Sequence, residues 1–112
     1  PLGQGAAAGR FPLATFFRWR IRPGREADFE RGWRGVTRAL RGAGSGGSAL
    51  FRSEAGDYCA FARWPDRAAR DRAFAMVDGG SDSELMHAAI AETVQRVDLD
   101  ERDNLWRIGG AA

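Results

Sequence analysis

Residues 13–22, LATFFRWRIR, alternate between two strand faces that cannot both meet water. Thr15, Phe17, Trp19 and Ile21 fall on one side, and Phe16, Arg18, Arg20 and Arg22 on the other, because strand side chains alternate with a period of two. The first face calls for a covering layer of helices. The second mixes aromatics with arginines, too aromatic to be fully wet and too charged to form a core alone. Cover by the same face of a second copy, with the arginines paired to partner carboxylates, satisfies both demands. The expectation is a homodimer through the sheet face. Pro23-Gly24 ends the strand, since proline cannot continue the ladder and glycine turns freely.

The next segment, READFERGWRGVTRALR (25–41), predicts a helix. Phe29, Trp33, Val36 and Leu40 recur every three or four residues and form one apolar stripe. Glu26 and Asp28 in the first turn and arginines in the last complement the helix dipole. Gly32 and Gly35 inside it each cost about 1 kcal/mol relative to alanine, so they imply either close packing of the helix on a sheet or a ligand against the backbone.

The glycine-rich loop at 42–47 follows a helix and precedes a strand, the wrong order for a nucleotide-binding loop, and reads as a helix C-cap and turn. Strands at 48–53 (SALFRS) and 58–64 (YCAFARW), joined by a turn around Gly56, predict a hairpin. Pro65-Asp66 opens a second helical segment with Asp66 as its cap, running to about Val77 and breaking at Gly79-Gly80. Ser81 and Glu84 have capping-box spacing for its continuation, in which Leu85, Met86, Ala89, Ile90 and Thr93 would form the inward stripe. A fourth strand is expected at 95–100, where Val97 and Leu99 alternate with polar residues. Leu105, Trp106 and Ile108 are too apolar to be left free in water.

This order is β-α-β-β-α-β, an α+β, ferredoxin-like antiparallel sheet with its helices on one face. The domain is expected to span 11–108. Residues 1–10 read as a disordered tail, in which Pro1-Leu2-Gly3 resembles a tag remnant, and 109–112 as a short C-terminal tail.

Composition excludes several functions. All 17 basic residues are arginines, against 15 acidic ones, so the net charge is only +2 and nucleic-acid binding is not expected. Without lysine there is no Schiff-base amine and no phosphate-binding P-loop lysine. Cys59 is the one cysteine, and no Cys/His cluster suggests a metal. The short apolar stretches exclude a membrane span, and the sequence shows no signal-peptide pattern, so a cytoplasmic location is expected.

From about Phe11 to Leu105 the chain resembles the antibiotic biosynthesis monooxygenase family of the dimeric α+β barrel superfamily. The resemblance is carried by FRWRIRPGREADFERGWRGVTRAL, by GSALFRS after the glycine-rich loop, and by FARWPDRAARDRAF, in that order. It implies a dimeric α+β barrel that oxidises a small aromatic, phenol- or quinone-like molecule with O2 and no cofactor or metal, or, in one branch, cleaves heme. An electron-rich, deprotonated substrate can react with O2 itself. The protein then supplies an apolar pocket, a base or hydrogen-bond acceptor, and a cation for the developing anion.

Carried over by position, Trp64 matches a tryptophan ending the third strand of the family, and His87 falls near the histidine of the heme-degrading branch. Phe17 stands where that branch has an asparagine, and Ala60 where quinone-forming members have one, so both sets are incomplete here. The catalytic candidates are Trp64, His87 and Tyr58. His87 is the sole histidine, the side-chain type whose ordinary pKa lies near neutrality, and it sits at the edge of the Met86/Ile90 stripe. Tyr58 shares the strand parity of Trp64 and offers a phenolic hydrogen bond. Phe17, Trp19, Phe29 and Trp33 are the substrate-binding candidates. Arg63 and Cys59 point to the opposite face.

Two readings remain open. A monooxygenase needs an enclosed apolar pocket holding Trp64 and reached by His87 or Tyr58. A non-catalytic binding or regulatory protein would fill the same space with Phe17, Trp19, Phe29 and Trp33.

Overall fold

The computed structural model describes residues 11–106. The elements are β1 (Leu13–Ile21), α1 (Glu26–Gly42), β2 (Gly47–Arg52), β3 (Tyr58–Trp64), α2 (Arg67–Val77), α3 (Ser81–Ala89) and β4 (Ile90–Asp100). The strands form one antiparallel sheet in the order β2-β3-β1-β4, and the helices cover one of its faces. The α+β, ferredoxin-like arrangement is as the sequence predicts. The expected tails at 1–10 and 109–112, and Ile108, lie outside the described residues. No helix among those described is long and apolar enough to cross a membrane.

Alternation builds the core. On β3, Tyr58, Ala60, Ala62 and Trp64 are buried while the residues between them are half-buried on the open face. Leu13, Thr15, Trp19 and Ile21 of β1 face the helices in the same way. The α1 stripe delivers Phe29, Val36 and Leu40, with Trp33 half-buried at its edge. The Phe29 ring lies between Trp19 and Tyr58, with centroids 5.2 and 5.0 Å away.

Some local expectations hold and others are corrected. The second helical segment does break as expected, into two helices separated at Gly79, whose φ of +85° suits a glycine. The Asp66 side chain does cap α2, accepting from the Ala69 amide at 2.7 Å. No capping box forms at Ser81: Gly80 occupies the N-cap, and its carbonyl accepts from the Glu84 amide at 2.9 Å. β4 begins at Ile90, directly after Ala89, so Ile90 and Thr93 lie on a strand rather than on a helical stripe. Gly32 does pack closely, but against α3 instead of the sheet. A Cβ there would lie 2.6 Å from the Met86 amide nitrogen and 2.8 Å from the Asp82 carbonyl oxygen.

On the open face, Phe16, Phe51 and Phe61 gather, with Phe16 and Phe61 centroids 4.9 Å apart, and Val97 and Leu99 flank them from β4. Three arginines of this face already have carboxylates of their own chain. Arg18 pairs with Asp57 at 2.9 Å, Arg20 with Glu92 at 3.1 Å, and Arg63 with Glu101. Partner carboxylates are therefore not needed to neutralise them, and the apolar cluster is the part left uncovered. Cys59 is half-buried on this face. Leu105 and Trp106, expected to find cover, stand 88% and 72% exposed in the single chain.

Candidate active site

The helical layer does not fill the space above the sheet. A cavity of about 410 Å³ lies between the strands and the three helices, within the range of small-molecule sites. Its sheet side carries Ala60 and Ala62 of β3 beside Phe17 and Trp19 of β1. The two small residues leave room that the large ones would occupy. Trp33, Val36 and Leu40 of α1 and Met86 of α3 form the opposite wall. Phe17 and Trp19 stack nearly parallel, with 5.0 Å between centroids and 9° between planes, so the lining is aromatic on this side.

The polar groups on this lining are few. The Nδ1 atom of His87 lies 2.8 Å from the Ser83 carbonyl oxygen and 3.2 Å from the Ser83 hydroxyl. A carbonyl can only accept, so Nδ1 carries the proton in that contact, and in the neutral ring Nε2 is left as a lone-pair base. Ser83 is buried, and its position one helical turn before His87 fixes the ring orientation. Arg96 of β4 is the one arginine on the lining among the described residues. Its guanidinium sits over the rings of Phe17 and Phe74, 5.5 and 5.7 Å from their centroids. The Ser48 hydroxyl of β2 is buried with no hydrogen-bond partner in the protein, a polar atom that a ligand oxygen could satisfy.

Of the candidates drawn from sequence, Phe17, Trp19, Trp33 and His87 line this cavity together, while Trp64, Tyr58 and Phe29 do not. Trp64 is fully buried one layer behind, edge-on to Phe74 at 5.2 Å, with its indole N–H unpartnered. The Tyr58 hydroxyl donates to Glu30 Oε2 at 2.5 Å, and the Arg52 guanidinium lies 5.2 Å from the ring centroid. Burial, reinforced by the Glu30 carboxylate, pushes the Tyr58 pKa up to about 12. Phe29 is a core residue between two rings.

The space is thus neither filled, as a collapsed core would have it, nor reached by Trp64 and Tyr58. Sequence reasoning missed Arg96 and Ser48. Ser48 shares strand parity with Leu50 and was legible as facing the helices. Arg96 was not, because the alternation of Val97 and Leu99 suggests that they face the helices, whereas pairing with β1 sends them to the open face and turns Arg96 inward. Among the described residues, no three His, Cys, Asp or Glu side chains gather where they could hold a metal ion.

Solved structures place this architecture. A candidate antibiotic biosynthesis monooxygenase from Bordetella bronchiseptica superposes with a TM-score of 0.69 at 25% identity, over 80% of this chain and 95% of that one. The chain has the antibiotic biosynthesis monooxygenase fold. SnoaB, a cofactor-independent oxygenase of this fold from Streptomyces nogalater, matches with a TM-score of 0.70 at 20% identity, covering 83% of this chain and 95% of its own. A Nitrosomonas europaea protein of unknown function matches with a TM-score of 0.67 at 15% identity, over 90% and 99% of the two chains, so the fold also occurs without an assigned activity. No protein-family model and no curated protein sequence matches the chain.

Proposed function

We propose that the chain is a cytoplasmic, homodimeric monooxygenase that oxidises a small phenol- or quinone-type aromatic with O2 and no bound cofactor. The observation that carries this reading is His87, its Nδ1 committed to the Ser83 carbonyl and its ring on the lining of an aromatic-walled cavity. A flat substrate would lie in the cavity beside Phe17 and Trp33, and Nε2 of His87 would take its hydroxyl proton. The phenolate then donates electrons from its ring carbon to O2, forming a C–O bond and a peroxide. Protonation of the peroxide and loss of the ring C–H proton break the O–O bond, leaving a carbonyl and releasing water. The balance closes without a reductant: a phenol and O2 give a quinone and water, four electrons leaving the substrate and four reducing O2. The 25%-identical Bordetella protein and SnoaB are in keeping with this chemistry.

Oxygen uptake measured with a panel of naphthols and anthrones tests the reading, with 18O2 reporting one labelled atom in the product. His87→Gln, which loses the base, should lower the rate by roughly 10²–10⁴-fold. Turnover that survives this substitution would reject His87 as the base. No uptake with any member of the panel would reject the oxygenase reading itself.

A second reading, a ligand-binding protein without turnover, is favoured by Phe17 and Ala60 at the positions where the resembling families carry asparagine. It predicts binding of the same aromatics with no oxygen consumption. Titration with hemin tests the heme alternative: an unchanged Soret band excludes it.

A further inference from the structure

We propose that Arg96 makes the cavity selective for hydroxyarene carboxylates, aromatic ligands with a carboxylate beside the reacting hydroxyl, over the corresponding simple phenols. This rests on the reading of the cavity as the ligand site, but not on turnover there.

About half of the arginines among the described residues are paired with carboxylates of the chain. Arg18, Arg20, Arg25, Arg31, Arg52, Arg63, Arg67 and Arg70 each make an ion pair among the described residues. Arg96 makes none there, and it is the only one of the unpaired arginines on the cavity lining. Asp78, the only acidic side chain on that lining, lies beyond ion-pairing distance of it. Its guanidinium contacts the Phe17 and Phe74 rings, which steady it beside the cavity without neutralising its charge. Arg96 is exposed at the mouth of the cavity, so its pull on an anion comes from the geometry of its donors more than from a dry surrounding.

The shape of the cation selects the anion. A guanidinium presents a planar fork of donors that matches a carboxylate with two parallel hydrogen bonds. A phosphate ester would bring close to two charges and three oxygens against a single cation, leaving oxygens undonated beside Val36, Leu40 and Met86. A bare phenol gives the fork nothing charged until it ionises. A carboxylate adjacent to the hydroxyl engages Arg96 while the ring stays in the aromatic-lined cavity.

Calorimetric titration at neutral pH with 1-hydroxy-2-naphthoate and with 1-naphthol tests the assignment, since only the acid is charged there. The wild type should bind the acid at least about ten-fold more tightly than the phenol. Arg96→Gln should remove most of that preference, costing the acid about ten-fold and the phenol less than about three-fold. Arg96→Lys, which keeps the charge and loses the fork, should fall between them, and circular dichroism establishes that both variants fold. Equal affinities in the wild type, equal losses for both ligands in Arg96→Gln, or binding of neither ligand would overturn the proposal. Selective binding without oxygen uptake would uphold it while sinking the oxygenase reading.

Discussion

The Tyr58 hydroxyl, donating to Glu30 across 2.5 Å, is available only while the phenol keeps its proton, so folding favours the protonated form. Its folded pKa, raised from 10.0 to about 12, sets the pH range of the effect. The stabilisation is whole below pH 10.0 and is lost as the pH rises through about 12. Tyr58 is the chain's one tyrosine, so phenolate absorbance reads it alone. The native titration should have its midpoint near 12 and the urea-unfolded one near 10.0. A native midpoint equal to the unfolded one would mean that the buried contact does not form.

The same residue marks what parity can say from sequence alone. The pattern YCAFARW correctly sends both Tyr58 and Trp64 toward the helices. Six residues of strand separate them by about 20 Å, too far to serve one small substrate. Facing is legible from a period of two. Position along the cavity depends on where the helices leave space, which no strand pattern contains.

Among the elements, the crossing of α1 over α3 turns on two glycines with different surroundings. A Cβ on Gly32 would strike the backbone of Met86 and Asp82 at 2.6 to 2.9 Å, and backbone can yield only if α3 lifts. A Cβ on Gly35 would meet the carboxylate of Asp82, the free end of an exposed side chain that can swing aside. Gly32→Ala should therefore cost about 2–3 kcal/mol in urea unfolding. Gly35→Ala should be close to neutral, since the helix gains roughly 1 kcal/mol from alanine. Equal losses at both positions would count against this asymmetry. The sequence announced the close approach by placing costly glycines in a strong helix, but it could not name the neighbour. The start of β4 was hidden for a related reason: Ile90 and Thr93 continue the helical spacing of Met86 and Ala89. The strand prevails because Ile90 pairs with Ile21 and Thr93 with Trp19.

At the scale of the molecule, the open sheet face is where a second copy is expected to bind. Phe51, Val97 and Leu99 are exposed there around the half-buried pair Phe16 and Phe61, while the arginines around them are paired within the chain. A second copy covering this cluster should give twice the chain mass in light scattering. Phe61→Asp, a charge placed in the cluster, should release monomers. A wild type that scatters as a monomer at micromolar concentration would defeat the paired-sheet expectation. The aromatic-and-arginine alternation of β1 made this face visible in the sequence. Which arginines would find carboxylates nearby was not visible, because Arg18 and Asp57, or Arg20 and Glu92, meet only when distant strands pair.

The place of β1 between β3 and β4 also bears on how the chain is made. Its second neighbour is Ile90–Asp100, the last strand to leave the ribosome. Synthesis runs from the N-terminus, so the sheet cannot close until all four strands have emerged, and this non-local pairing slows closure relative to a helical bundle. For that interval the nascent protein carries Phe17 and Trp19 on a strand with one open edge, and a chaperone that holds unpaired edges would find it a client.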